Sequence, residues 1–96
     1  MPFKKLIFRI HALRRMFERS ISEADVRTAL LQGEIIEKYD NEKPYPSYLA
    51  LGYVSHRPIH VVAADNSADH ETIIITVYEP DTVKWEPGYR KRKGSV

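Results

Sequence analysis

Hydrophobic positions recur at two different spacings, and the change between them divides the chain into a helical part and a strand part. From about Arg9 to Arg19 the apolar residues fall on one arc of a helix drawn at about 100° per residue. A second helix is predicted after Ser22, because Asp25 stands at the capping-box position and Gly33 provides a stop. Both helices therefore precede the main run of strands.

The strand part begins at residue 34, where the apolar spacing shortens and β-branched residues accumulate. Four segments are predicted as strands: EIIEKY (34–39), SYLALGYVS (47–55), PIHVVAAD (58–65) and ETIIITVYE (71–79). The short apolar opening at 3–8 is a candidate edge strand. Helices clustered before strands predict an α+β fold, with two N-terminal helices packed on a three- to four-stranded antiparallel sheet. The chain is expected to form one domain over residues 1–96, with a basic tail at 88–96.

The turn assignments predict which strand residues face each other. A two-residue turn at 56–57 would pair Tyr53 with His60 and Leu51 with Val62, and a turn at 66–70 would place His60 opposite Thr76. Six residues would then share one face of the sheet: Leu49, Leu51, Tyr53, His60, Val62 and Ala64. Tyr78 would lie on that face too, one step further along.

Composition narrows the class of protein. Hydrophobic residues make up 43% and charged residues 29% of the 96 positions, as in globular proteins, and there is no cysteine for disulfides or for zinc sites with thiolate ligands. The apolar stretch before Arg9 is too short for a signal-peptide core, and no later segment approaches a membrane span. We therefore expect a cytoplasmic protein with no membrane contact, no metal and no cofactor.

Charge is unevenly distributed along the chain. Residues 1–20 carry six basic groups and one acid, residues 84–96 carry five and one, and residues 21–83 carry four and eleven. If the two basic ends meet in space, they could bind a polyanion such as nucleic acid. The four consecutive cations of the tail are the candidates for RNA-backbone contacts: Arg90, Lys91, Arg92 and Lys93.

One row of the first helix carries candidate chemistry. His11, Arg15 and Arg19 are four residues apart, whereas Ala12, Leu13, Met16 and Phe17 fall on the opposite side. If this row lies near the end of the sheet where His60, Thr76 and Tyr78 gather, two imidazoles, two guanidiniums and hydroxyl groups would surround one groove. That set suits metal-independent RNA cleavage, in which histidines exchange protons and arginines bind the phosphoryl group. The alternative is structural, with His60 bonded to Thr76 and to a tyrosine hydroxyl.

Three motifs also resemble those of the bacterial domain-of-unknown-function family 4258. They are H-A-x-x-R-M-x-x-R in the first helix, P-x-H-V-V in a strand, and T-V-Y-E-P-D. The resemblance implies a fold similar to that of RelE/ParE toxins, which are mostly ribonucleases held inactive by a small antitoxin. The residues that match the motifs, and that would be catalytic, are His11, Arg15, Arg19, His60, Thr76 and Tyr78. The expected partners are RNA, including ribosome-bound messenger RNA, and a cognate antitoxin protein.

Two other functions remain open on the same residues. FERSISEADVRTALLQ has the outline of a helix–turn–helix, although Glu23 and Asp25 would meet DNA phosphates unfavourably. The acidic middle of the chain could instead bind a basic protein, with the histidines serving only structure. A non-catalytic nucleic-acid- or protein-binding module is therefore the alternative to a toxin-like endoribonuclease.

Overall fold

The computed structural model describes residues 5–41 and 45–94. The elements in chain order are β1 (Lys5–Phe8), α1 (Ile10–Arg19), α2 (Glu23–Gln32), β2 (Glu34–Tyr39), β3 (Ser47–Val54), β4 (Arg57–Asn66), a short 3-10 turn (Ser67–Asp69) and β5 (Glu71–Tyr78). The α+β class and the order of helices before the main sheet agree with the prediction. None of the helices among the described residues is long and apolar enough to cross a membrane.

The number and direction of the strands differ from the prediction. The sheet has five strands in the order β1-β5-β4-β3-β2, not three or four. β1 pairs with β5 in parallel, with Lys5 opposite Glu71 and Phe8 opposite Ile74, so the sheet is mixed and not purely antiparallel. A parallel pair needs a long connection between its strands, and the chain from α1 to β4 provides it. Of the predicted edge strand, residues 3 and 4 lie outside the described residues.

The helix boundaries follow from local chemistry. Asp25 N–H donates to Ser22 Oγ (3.0 Å) and Ser22 N–H donates to Asp25 Oδ2 (2.9 Å), which confirms the predicted capping box of α2. α1 ends where Ser20 adopts a left-handed conformation and its N–H bonds the carbonyls of Met16 and Phe17. Gly33 ends α2, as predicted.

The hairpin between β3 and β4 turns one residue earlier than predicted. Ser55 and His56 both have positive φ, which is the backbone conformation of a type I′ turn. Leu51 therefore pairs with His60, and the predicted Tyr53–His60 pair is wrong. The shift in pairing is two residues, so the set of residues predicted to share the face of His60 is unchanged.

The pairing of β4 with β5 also differs, because the turn between them is one residue shorter than predicted, with Asn66 opposite Glu71, and because β5 contains a bulge. His60 lies opposite Tyr78 and Val62 opposite Thr76, whereas Ala63 lies opposite Ile74. The predicted His60–Thr76 pair is therefore wrong. Ile75 is the extra residue of the bulge and has no partner in β4. The side chains of β5 before and after it therefore alternate in opposite phase, so the turn alone could not predict which side chain meets His60.

The two helices cover the face of the sheet opposite to His60. α1 packs against β5, and α2 packs against β3 and β4. Their buried residues form one cluster with alternate residues of the strands: Ala12, Met16, Ile21, Val26, Ala29, Ile59, Val61, Ala63, Ile74 and Val77. Gly52 lets α2 approach β3, since a Cβ there would lie 2.2 Å from the carbonyl oxygen of Ala29. His60 alternates with this cluster and faces the other side.

Candidate functional site

A cleft of about 290 Å³ lies between the C-terminal half of α1 and the end of β5. α1 contributes Arg15 and Arg19, which are one helical turn apart, and β5 contributes Tyr78. The residues after β5 complete the wall. They are Glu79, Pro80, Asp81, Lys84, Trp85 and Arg92.

The segment after β5 forms an antiparallel hairpin over residues 84–93, here called the C-terminal hairpin. Trp85 bridges Arg92, Glu86 N–H donates to the carbonyl of Lys91 (2.9 Å), and Lys93 N–H donates to that of Lys84 (2.8 Å). Asp81 starts the segment by accepting the N–H groups of the two residues before Trp85, at 3.0 and 2.8 Å. The basic tail predicted at 88–96 is thus folded back as far as residue 93, and residues 95–96 lie outside the described residues.

Ion pairs to β2 hold the C-terminal hairpin against the sheet. Arg92 makes a two-pronged contact with Glu37, with both N···O distances at 3.1 Å, and Arg90 pairs with Glu34. The guanidinium of Arg92 also lies over the Trp85 ring, 4.7 Å from its centroid. The Arg92 guanidinium lowers the pKa of the Glu37 carboxyl, which keeps this pair ionised. Two of the four cations predicted to bind RNA are therefore engaged within the protein.

His60 lies beneath the hairpin and is fully buried, with 0% of its surface exposed. Its Nε2 is 3.0 Å from the carbonyl oxygen of Tyr89 and its Nδ1 is 3.2 Å from the hydroxyl of Tyr78. Because a carbonyl only accepts, Nε2 carries the proton and Nδ1 accepts from Tyr78. The Trp85 ring stands edge-on to the imidazole, with the two ring centroids 4.5 Å apart. Burial lowers the pKa of His60, so the neutral imidazole is favoured.

Tyr78 connects this buried imidazole to the cleft. Its side chain is half-buried, its hydroxyl bonds His60, and the same residue lines the cleft beside Arg15 and Arg19. Burial raises the pKa of the Tyr78 hydroxyl, which therefore stays protonated near neutral pH. Tyr78 thus links the cleft wall to His60, and because its one proton is donated to the imidazole its hydroxyl can only accept a further hydrogen bond.

Among the described residues, the charged side chains of the cleft that have no partner within the protein are positive. Glu79 is neutralised by Arg57, whose Nε lies 2.8 Å from its Oε1, and the Asp81 carboxylate is satisfied by backbone N–H groups. Within residues 5–41 and 45–94, neither Arg15 nor Arg19 has a side-chain ion pair. Two unpaired guanidiniums one turn apart can bind the oxygens of a phosphate or carboxylate.

The structure brings together three of the six predicted catalytic residues. Arg15, Arg19 and Tyr78 line the cleft. His11 is exposed one turn before Arg15 and is not among the lining residues, and half-buried Thr76 faces the side of His60 without lining the cleft. His60 is sealed from solvent, which matches the structural alternative in its bond to a tyrosine hydroxyl.

Lys84 and Asp81 also belong to the cleft, and sequence reasoning missed both. Their only signal is their position between Pro80 and Pro87, which predicts a bend after β5.

Among the described residues, no group of three or more His, Cys, Asp or Glu side chains could hold a metal ion.

Comparison with known proteins yields one match. The model of a family described as a domain of unknown function, DUF4258, matches residues 8–79. That span contains α1, α2 and β2–β5, whereas the C-terminal hairpin lies beyond it. No curated protein and no solved structure matches the chain.

Proposed function

Since the chain belongs to the DUF4258 family, whose description names no activity, we propose a function from the cleft itself: metal-independent cleavage of RNA. The observation that carries this proposal is that Arg15 and Arg19, which have no ion pair within the described residues, line one cleft with Tyr78. A phosphodiester offers two non-bridging oxygens, and the planar fork of arginine donates parallel hydrogen bonds to such a group.

The reaction needs charge stabilisation and two proton transfers. The ribose 2′-oxygen bonds to phosphorus and loses its proton, while the bond to the 5′-oxygen breaks and that oxygen gains a proton. Arg15 and Arg19 would stabilise the charge that accumulates on the phosphoryl oxygens. The Tyr78 hydroxyl, which donates its proton to His60, would orient the substrate by accepting a hydrogen bond from it. His11, on the same helical row, is the proposed acceptor of the 2′-hydroxyl proton, and water would supply the proton that the 5′-oxygen gains.

His60 has a different role in this proposal from the one expected from the sequence. A fully buried imidazole with both nitrogens bonded is not placed to exchange protons with a substrate. It would act as a positioning residue that holds the Tyr78 hydroxyl. Arg90 and Arg92 would hold the C-terminal hairpin in place, which leaves Lys91 and Lys93, both exposed, for salt-dependent contacts with the RNA backbone.

The proposed biological setting is that of a toxin. A RelE/ParE-like toxin would act in the cytoplasm on messenger RNA, free or ribosome-bound, and would be held inactive by a small antitoxin. Induced expression should then arrest growth, and co-expression of an antitoxin from a neighbouring gene should relieve the arrest. Growth that continues during expression of the folded protein would count against the toxin proposal.

The direct test is cleavage of total RNA by the purified protein in the presence of a chelator. Arg15→Ala and Arg19→Ala should each slow cleavage by roughly a hundredfold or more, which is the usual effect of removing one transition-state donor. Arg14→Ala is the matched control, because Arg14 is exposed on the same helix but does not line the cleft. Equal activity of all three variants would refute the assignment of the cleft.

A second candidate is favoured by the burial of His60. Without an open pair of histidines, the cleft could bind RNA phosphates and leave them intact. In that case the protein would bind RNA with an affinity that depends on salt and on Arg15 and Arg19, and RNA in chelator would remain uncut. Tyr78→Phe separates the two: it should slow cleavage while leaving RNA affinity nearly unchanged if the cleft is catalytic.

A further inference from the structure

α1 has more apolar surface than the sheet can cover. Ala12 and Met16 are buried against β5, but three larger side chains point away from the core. Ile10, Leu13 and Phe17 are 71%, 41% and 88% exposed. Their spacing of three and four residues places them in one line along the helix, which we call the outer row.

The outer row is a continuous patch, unlike other exposed apolar residues such as Leu31 on α2 or Val83 before the hairpin. Single exposed apolar side chains are common on folded proteins, whereas aligned ones mark sites of interaction. A phenylalanine that is 88% exposed on a regular helix contributes little to the fold. This side chain is therefore available for contact with another molecule.

The charges around the outer row define what could cover it. Positions 9–19 carry four arginines and one glutamate. Within the described parts of the chain, neither Arg9 nor Arg14 makes an ion pair, and Arg14 is only about 40° around the helix from Ile10. Packing α1 against α1 of a second copy would bring like charges together, so a second copy of this face is disfavoured. The side chains of the outer row also offer no hydrogen bonds to the bases of a nucleic acid, and only Phe17 could stack on a base.

We propose that the outer row of α1 is a docking surface for a partner protein, through an amphipathic segment whose apolar row is flanked by carboxylates. The apolar side chains of the partner would cover Ile10, Leu13 and Phe17, and its acidic groups would meet Arg9 and Arg14. Arg15 and Arg19 lie about 140° or more around the helix from Ile10, so the surface is separate from the cleft. Docking on it does not depend on whether the cleft cleaves RNA.

The test uses two synthetic helical peptides of about 16 residues, long enough for a stable helix with a matching leucine row. One carries glutamates beside the row and the other carries lysines at the same positions. Fluorescence anisotropy should show saturable binding of the glutamate peptide and none of the lysine peptide. Phe17→Ser and Arg14→Glu should each weaken binding by roughly tenfold or more, whereas Leu31→Ser, at an exposed apolar residue of α2, should not.

Four outcomes would overturn the proposal. Equal binding of both peptides, or binding unaffected by Phe17→Ser, would show that the outer row does not select an acidic partner. Concentration-dependent dimerisation abolished by Phe17→Ser would assign the surface to a second copy of the chain. An RNA oligonucleotide whose affinity falls with Phe17→Ser would assign it to nucleic acid. Because Phe17 is so exposed, unchanged thermal unfolding of Phe17→Ser should confirm that the variant is folded.

Discussion

Lowering the pH below about 6.5 should destabilise the protein through His60. The imidazole is fully buried, and its Nδ1 accepts a hydrogen bond from Tyr78 in the neutral form. A proton on Nδ1 would abolish that acceptor and place a charge beneath the C-terminal hairpin, near the guanidinium of Arg92. Burial accordingly lowers the pKa of His60 below its usual 6.5.

The sign and size of the effect follow from proton linkage. Well above pH 6.5 neither the folded nor the unfolded imidazole is protonated, so the contribution of His60 to stability is fully present. As the pH falls below 6.5, the unfolded chain binds a proton that the folded protein excludes, and the free energy of unfolding falls. The slope can reach about 1.4 kcal/mol per pH unit, and it ends where folded His60 also becomes protonated.

Urea unfolding between pH 7.5 and 5 should measure this slope. Trp85 is the only tryptophan, is buried, and contacts His60 edge-on at 4.5 Å, so its fluorescence reports on unfolding around this site. The matched variant is His60→Gln, whose amide can still donate to the Tyr89 carbonyl but cannot titrate. The Glu37 carboxyl titrates below its usual 4.5 because of Arg92, so its own contribution is lost at lower pH than this range.

Equal pH slopes for the wild type and His60→Gln over that range would refute this reasoning. A titration of the His60 ring followed by NMR provides an independent check, since its pKa should lie below 6.5 in the folded protein. A midpoint at or above 6.5 would show that burial does not exclude the proton.

Three further changes test the packing. Arg57→Ala removes bonds to Glu79 and to the carbonyls that end α1, and should lower the free energy of unfolding by about 1–2 kcal/mol, against no measurable change for Arg14→Ala. Gly52→Ala should lower the free energy of unfolding by more than about 2 kcal/mol, since its Cβ would overlap the backbone of α2. Gly94→Ala should leave that free energy unchanged in the same urea unfolding assay. Arg92→Ala should loosen the hairpin and increase acrylamide quenching of the buried tryptophan fluorescence; unchanged quenching would show that the ion pair is dispensable.

Local signals predicted the elements well because their causes are local. The capping box of Ser22 and Asp25 and the stop at Gly33 depend on residues within one or two turns of each other. The strands were found from β-branched composition, and the set of residues sharing the face of His60 depended only on alternation. A four-residue strand such as β1 is too short to show a periodicity.

Pairing between strands was harder to predict, because it depends on turns and bulges that shift by a single residue. The left-handed backbone of Ser55 and His56 moved the hairpin, and the bulge at Ile75 changed which residue of β5 meets His60. The candidate site was correspondingly incomplete. Arg15, Arg19 and Tyr78 do meet, but Asp81 and Lys84 join them through a segment without regular periodicity.

By itself the sequence determined the two helices with the cap of the second, the strand segments and the alternation of side chains within each strand, since these are properties of neighbouring residues. Only the tertiary structure decided which element packs against each face of the sheet. β4 is buried on both sides, so alternation could not show that the helices cover Val61 while the C-terminal hairpin covers His60. Likewise, the sequence does not show whether a basic residue forms an ion pair, and the fold brings Glu37 to Arg92. The fold also leaves Phe17 exposed. These outcomes depend on contacts between residues far apart in the chain.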